Sequence, residues 1–369
     1  MIRRNKKMSI QQILKNGSFD KNDIVALLCA TSAEDLENIR KKAEGVLLEN
    51  CGDEVFFRGL VEFSNVCTSD CFYCGIRKSS AKPNRYTLTK DEIVGCAKFC
   101  ADEGFGSIVL QSGERQDAAF VEFVEDVVRA IKIETMSDAS PRGLGITLCV
   151  GEQTRSTYER FFAAGAHRYL LRIETSSPGL FSHLHPPSQT IETRIKCLET
   201  LKSIGFQVGT GVMIGLPGQT ISDLADDILF FKNIDVDMIG MGPYIVHSDT
   251  PMQCHAENTL DRKAEILTLA LTMIAVTRIV LKNVNIAATT ALQAMDPVGR
   301  EKGLLHGANV IMPQVTPPDV RRDYLLYEGK PCIDESASQC KGCLENRITS
   351  VGRRVGRNAW GDSRHFSAR

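Results

Sequence analysis

The sequence has no charge excess of either sign, since 44 Lys and Arg stand against 45 Asp and Glu in 369 residues. Bulk electrostatic capture of nucleic acid or of an anionic membrane is therefore excluded as an organising principle, and a small or uncharged-surface partner is favoured. No stretch approaches the roughly 20 apolar residues that a membrane-crossing helix needs. The basic N-terminal MIRRNKKMS is not followed by an apolar run of signal-peptide length. The expectation is a cytoplasmic protein with neither nucleic acid nor membrane among its partners. Internal repeats and low-complexity linkers are also missing, which excludes solenoids and tethered arrays.

What is abundant is cysteine, with thirteen in the chain. In a non-secreted protein that number points to thiolate chemistry or metal rather than to a disulfide framework. From residue 55 onward, β-rich apolar runs alternate with helical patterns. Eight such runs begin at Val55, Ser107, Gly145, His167, Gln207, Val236, Asn285 and Ala308. Isoleucine, valine and leucine fill both faces of most of them, as suits a parallel sheet covered by helices. Between them lie segments such as TKDEIVGCAKFCADEG, which Thr89 can cap and Gly104 can end. Eight strand–helix units predict an α/β fold, a full TIM-type (β/α)8 barrel, with a doubly wound open sheet as the alternative. Residues 1–50 read as a helical extension in which Thr31 or Ser32 caps AEDLENIRKKAEGVLLEN. Residues 51–327 read as the barrel, and 328–369 as a short cysteine-bearing tail. The polar IETMSDASPRG segment reads as a surface loop.

SNVCTSDCFYCGIRKSS follows the first strand, at the C-terminal mouth where barrel active sites occur. Its C-x3-C-x2-C spacing lets Cys67, Cys71 and Cys74 hold three corners of a 4Fe-4S cluster while one iron lacks a protein ligand. An open iron suits a chelating molecule such as S-adenosylmethionine (SAM), whose amino and carboxylate groups can bind it, and the pattern reads as a radical SAM site. A structural zinc site would need a fourth nearby ligand, and none follows. In the tail, Cys332, Cys340 and Cys343 form a C-x7-C-x2-C triplet suited to a second iron–sulfur cluster or to zinc. The other cysteines, Cys96 and Cys100 among them, read as buried small hydrophobes. His247 and His255 read as hydrogen-bonded rather than ligating.

VEFSNVCTSDCFYCGIRK, IVLQSGE, RYLLRIETSSP, MIGLPGQT, GMGPYIVHSDTP, NIAATTAL and GANVIMPQVTP resemble the HydE maturases of iron-iron hydrogenase, over about residues 50–365. Biotin synthase and methylornithine synthase share the cysteine motif, but the LQSGE and LLRIET segments look more like HydE. The chain departs from that pattern in its longer IETMSDASPRG loop and in LHPPSQT after the fourth strand. The resemblance implies a radical SAM enzyme with SAM at the barrel top above a large internal cavity. It implies an organometallic substrate, an iron carrying carbon monoxide, cyanide and cysteine, with HydG and HydF as partner maturases. A mutase or sulfur-inserting enzyme acting on an organic substrate is the alternative within enzymes, and a non-catalytic cluster carrier the alternative outside them.

Glu174, at the end of the fourth strand, can accept hydrogen bonds from the SAM ammonium, and Arg194 on the next helix can clamp its carboxylate. The plain alternative for Glu174 is an ion pair with Arg172. Tyr73 and Ile245 are candidate adenine contacts, as is the backbone of MIGLPGQT, each against simple packing. Arg58, Gln111, Ser112, Thr147, Thr289 and Thr290 lie on or just after predicted strands. The resemblance turns them, with Arg172 and Tyr324, toward the substrate or a bound anion, and implies that Tyr324 and Tyr327 close the bottom or side of the cavity.

Overall fold

The computed structural model describes residues 8–138 and 140–369. The first seven residues of the expected helical extension, and Ala139 of the expected surface loop, lie outside the described residues. All eight predicted runs contain a strand. We label them β1 (Glu54–Ser64), β2 (Ser107–Ser112), β3 (Gly145–Cys149), β4 (Arg168–Leu170), β5 (Gln207–Thr210), β6 (Met238–Ile239), β7 (Asn285–Ile286) and β8 (Val310–Ile311). They pair in parallel in the order β8-β1-β2-β3-β4-β5-β6-β7 and form a curled sheet with helices outside. Its two edge strands meet, because Asn309 N donates to Ile286 O and Ala288 N to Val310 O, both at 2.9 Å.

The strands shorten toward the C-terminal half for a local reason. After β4 the backbone turns through a left-handed Glu174 (φ 64°). After β5, Met213–Ile214 leaves the main ladder to pair with Gly242–Pro243. The chain thus spends its apolar runs on loops that rise over the mouth. Helix caps follow the predicted chemistry. Thr89 and Glu92 make a capping box, and Ser32 rather than Thr31 caps Ala33–Asn50.

One helix, Lys263–Leu281, is long and apolar enough to cross a membrane by length and composition, against the expectation that no stretch comes near that length. Most of its apolar window, 61%, is buried inside the fold, where it packs on Ala33–Asn50 and Ile221–Asn233.

The tail departs most from its expected place as an appendage. Arg354–Gly356, labelled β9, pairs in parallel with the start of β1, and the residues after it seal the N-terminal end of the sheet. Trp360 O accepts from Ser107 Oγ (2.6 Å) and from Arg168 (2.7 Å), and Gly361 O from Arg58 (3.1 Å) and Asn285 (2.8 Å). Asp362 pairs with Arg168 at 2.8 Å. The Trp360 ring lies between Lys132 and Arg142, 4.3 and 4.1 Å from its centroid, so the IETMSDASPRG loop is tied down through Arg142. Gly106 lets this segment approach, since a Cβ there would strike the Ala359 carbonyl.

Candidate active site

Cys67, Cys71 and Cys74 sit on an irregular loop whose shape is set by hydrogen bonds rather than by secondary structure. Thr68 donates its N and Oγ1 to Glu114 O at 2.9 Å. Phe72 N reaches Leu184 O at 2.8 Å and Gly75 N reaches Leu326 O at 3.2 Å. The Arg85 guanidinium donates to four carbonyls around the loop, those of Asn65, Ile76, Arg77 and Ser80, at 2.7–2.8 Å. Gly113 is needed here because a Cβ would collide with the Val66 carbonyl and the Cys67 side chain.

All three cysteines are free and face one cavity, shared with Gln111, Ser112, Glu114, Cys149, Arg172, Glu174, Gln189, Arg194 and Tyr324. Burial, and for Cys71 and Cys74 also the neighbouring thiols, raises each thiol: Cys67 above its usual range, Cys71 well above it and Cys74 to about 12. Lone thiolates are thus disfavoured here, and a bound cation would reverse that balance. Among the described residues no group of three His, Cys, Asp or Glu is disposed about one point as a single metal ion requires. The donor set, three thiols around shared empty space, fits three corners of a cluster better than one ion.

Glu174 sits 3% exposed at the cavity edge. Its Oε1 takes Arg172 Nε at 3.1 Å and Tyr73 Oη at 3.3 Å, whereas Oε2 is buried without a partner. The ion pair with Arg172 and the capacity to accept a further donor therefore coexist, and an orphaned carboxylate oxygen fits an ammonium. Arg194 reaches the same cavity but is already engaged, through Nε with Glu152 at 2.5 Å and through Nη1 with Arg172 O at 2.6 Å. Tyr73 is packed edge-on to His185 and walls both the cluster-side cavity and a deeper one.

The deeper cavity has a volume of about 200 Å³. Ile245, Gln111, Arg172, Thr289, Thr290 and Tyr327 line it, together with Glu62, Arg300 and Lys330. Tyr324 and Ser112 face the cluster side instead, where Ser112 Oγ is spent on Gly113 O at 2.7 Å. Arg58 and Thr147 are not brought to this group. They line a small separate space near the sealed end, where Arg58 donates to Met238 Sδ and Gly361 O and Thr147 Oγ1 accepts from Arg168 Nε. Arg58 precedes the end of β1 by six residues, about 20 Å of strand, so a residue can be on the right strand and at the wrong end of it. The MIGLPGQT turn is held by its own Gln219, whose side chain bonds Gly215 N, Leu216 N and Met213 O.

In the tail, the Cys332 and Cys340 side chains are hydrogen-bonded to each other. Cys340 also accepts from Gln314 N at 3.3 Å, and Cys343 from Arg347 Nε at 3.3 Å. Cys340, with Arg300 and Arg321 adding to it, brings the Cys332 thiol down to about 6, and Cys340 moves up as its partner. His247 accepts from Asp249 N at 3.0 Å, and His255 ends a short 3-10 turn.

Sequence reading missed several residues. Glu114 was within a quoted motif, yet its role is to tie the cysteine loop to β3: Oε1 takes Ser69 Oγ and Oε2 takes Glu152 N, both at 2.8 Å. Glu152 had no signal at all. Lys330 and Glu62 form a buried pair at 2.5 Å, with Gln314 on the same carboxylate. Their separation along the chain hid it.

Comparison with known proteins extends this geometry. The Radical SAM superfamily description matches residues 61–231. The chain is 44% identical to the FeFe-hydrogenase maturase subunit HydE of Thermotoga maritima, over 89% of this chain and 90% of that one. It is 27% identical to 3-methylornithine synthase of Methanosarcina acetivorans, over 82% and 81%. Among solved structures, methylornithine synthase PylB superposes with a TM-score of 0.78 at 23% identity, covering 95% of this chain and 98% of that one. The maturase HydG from Carboxydothermus hydrogenoformans superposes at 0.75 and 18%, covering 92% and 77%. At such identities these two structures speak for the fold alone. A cysteine loop over a deep cavity, on a chain this similar to HydE along nearly all its length, identifies a radical SAM enzyme belonging to the HydE family of FeFe-hydrogenase maturases.

Proposed function

We propose that the chain reductively cleaves SAM at a 4Fe-4S cluster held by Cys67, Cys71 and Cys74, and acts on an organometallic iron–cysteine precursor during assembly of the iron-iron hydrogenase active-site cluster. The observation that carries this reading is the conjunction, in one cavity, of three free cysteines with the orphaned Oε2 of Glu174. When bound, the cluster and SAM supply an electron and a 5′-deoxyadenosyl radical. The protein's own part is positional. Arg85 and Glu114 hold the cysteine loop, Glu174 accepts the SAM ammonium, and Arg194 offers the guanidinium nitrogen left over from Glu152 and Arg172 to its carboxylate. Tyr73 and Ile245 wall the adenine side. The deeper cavity, lined by Thr289, Thr290 and Tyr327, takes the substrate and keeps water away from the radical.

We read the curled sheet as a full (β/α)8 barrel, supported by the hydrogen bonds between β7 and β8. Within it, residues 51–327 form the barrel, 1–50 the helical extension and 328–369 the tail. The tail triplet is a second iron–sulfur site with an accessory role, and HydG and HydF are the partners in a cytoplasmic pathway. The test is 5′-deoxyadenosine formation by the reconstituted, reduced protein, with and without the iron–cysteine precursor. Cleavage should occur and be stimulated by the precursor. Absence of cleavage from a protein with a full loop cluster would make the chain a cluster carrier instead.

A further inference from the structure

Four of the largest fully buried side chains are arginines, namely Arg168, Arg278, Arg300 and Arg321. Three of them donate to several partners in the fold, although Arg321 Nη2 is left without one. Arg168 donates to Thr147, Ser107, Trp360 O and Asp362. Arg278 donates to the carbonyls of Gly307, Lys282 and Val284 and to Asn309. Arg321 donates to the carbonyls of Thr316, Cys332 and Glu335. Arg300 is the exception. It is 1% exposed, and its Nε and Nη1 have no hydrogen-bond partner. A buried guanidinium is tolerated when its charge and donors are matched, so an unmatched one marks a place where something else supplies the match.

The surroundings say what that is. Arg300 lines the deep cavity beside Thr289, Thr290 and Tyr327, and the buried Tyr327 hydroxyl has only the Thr290 side chain to interact with. The other charges of the cavity wall cancel. Lys330 is paired with both oxygens of Glu62 and is further bonded to Tyr324 O, and Arg172 is paired with Glu174. Arg300 has no carboxylate paired with it, its acidic neighbour on the tail side being the Cys332 thiol, and a phenol stands next to it on a wall otherwise made largely of apolar side chains and backbone.

We propose that Arg300 anchors a singly charged anionic group, a carboxylate or a ligand atom of like charge, on the molecule that fills the cavity, with the Tyr327 hydroxyl as a second donor. This deepens the proposed function and rests on its reading of the deep cavity as the substrate's place. Arg300 enters the wall from the helix Gly299–Leu305, which packs on the tail helix Ala337–Ser350, so the anionic end lies on the side of the cavity nearest the tail. Specificity follows: a neutral analogue of the same shape leaves the guanidinium unmatched and binds worse.

The test uses acetate as the probe and thermal unfolding of the cluster-loaded protein in chloride-free buffer, because a ligand that binds only the folded state raises its Tm. Wild type should gain Tm with rising acetate. Arg300→Lys should need at least tenfold more acetate for the same gain, and Arg300→Met should show no gain beyond the ionic-strength drift. Without acetate, Arg300→Met should be no less stable than wild type, since it removes an unmatched buried charge. Equal acetate responses in wild type and Arg300→Met overturn the proposal. So does loss of the response when Cys332, Cys340 and Cys343 are replaced together, because Arg300 would then serve the tail site. SAM cleavage by the wild type is a separate measurement that needs no acetate, so either reading can fail while the other stands.

Discussion

Two cysteine triplets in this chain each end in a C-x2-C pair, yet their settings differ in kind. The loop triplet lies on irregular backbone. Its positions are dictated by hydrogen bonds donated by Arg85 and accepted by the Glu114, Leu184 and Leu326 carbonyls, and its thiols face a cavity in which lone thiolates are disfavoured. The tail triplet has two of its members one turn apart on the helix Ala337–Ser350. There arginines surround the sulfurs, and one thiol is already driven toward its ionised form. The first arrangement keeps its sulfurs for a group that enters a shaped cavity. The second runs from the buried Cys340 to the exposed Cys343 and neighbours the cavity wall through Arg300. Spacing alone does not distinguish the two triplets; access to a cavity does.

The largest way to break this contrast is Cys71→Ala, which should abolish 5′-deoxyadenosine formation while circular dichroism stays that of the folded protein, because a three-ligand cluster does not survive loss of one ligand. Retained cleavage would remove the loop triplet from its role. Next is Lys330→Met, which strands Glu62 in the interior and should cost about 3–5 kcal/mol in chemical denaturation. A loss below about 1 kcal/mol would mean that Gln314 alone satisfies the carboxylate.

Arg194→Ala should weaken SAM binding several-fold by calorimetry and leave the cluster spectrum unchanged. Unchanged affinity would assign Arg194 entirely to Glu152 and the Arg172 carbonyl. Replacing Cys332, Cys340 and Cys343 together by Ser should lower iron content yet preserve dithionite-driven cleavage. If cleavage disappears while the loop cluster stays intact, the accessory assignment of the tail is wrong.

The smallest effect sharpens the comparison through protonation. In metal-free protein, the Cys332–Cys340 pair gives up its first proton more readily than an ordinary thiol, with Cys340 and the nearby arginines as the cause, whereas burial holds Cys74 in its thiol form. Brief iodoacetamide treatment at neutral pH, read by mass spectrometry, should label Cys332 well ahead of the loop cysteines. Equal labelling would contradict the different electrostatics of the two sites.

The alternation of apolar runs and amphipathic segments was legible because strand and helix periods are local, and so all eight strands could be placed within a few residues. The cysteine loop was legible for the same reason, three cysteines falling within eight residues. Glu174 and its pairing with Arg172 were also within reach, since both lie at the end of one strand. What the tertiary structure alone decided depends on parts far apart in the chain. The seal of Trp360 and Gly361 on Arg58 and Arg168 sent two expected cavity residues to the closed end. The pairing of Glu62 with Lys330, 268 residues apart, neutralised one cavity cation and left Arg300 as the other. Local periodicity writes elements and ligand spacings into short stretches of sequence. The balance of charge inside a cavity is settled only when strands, loops and tail have converged on it, because Coulomb and hydrogen-bond partners act through space and not along the chain.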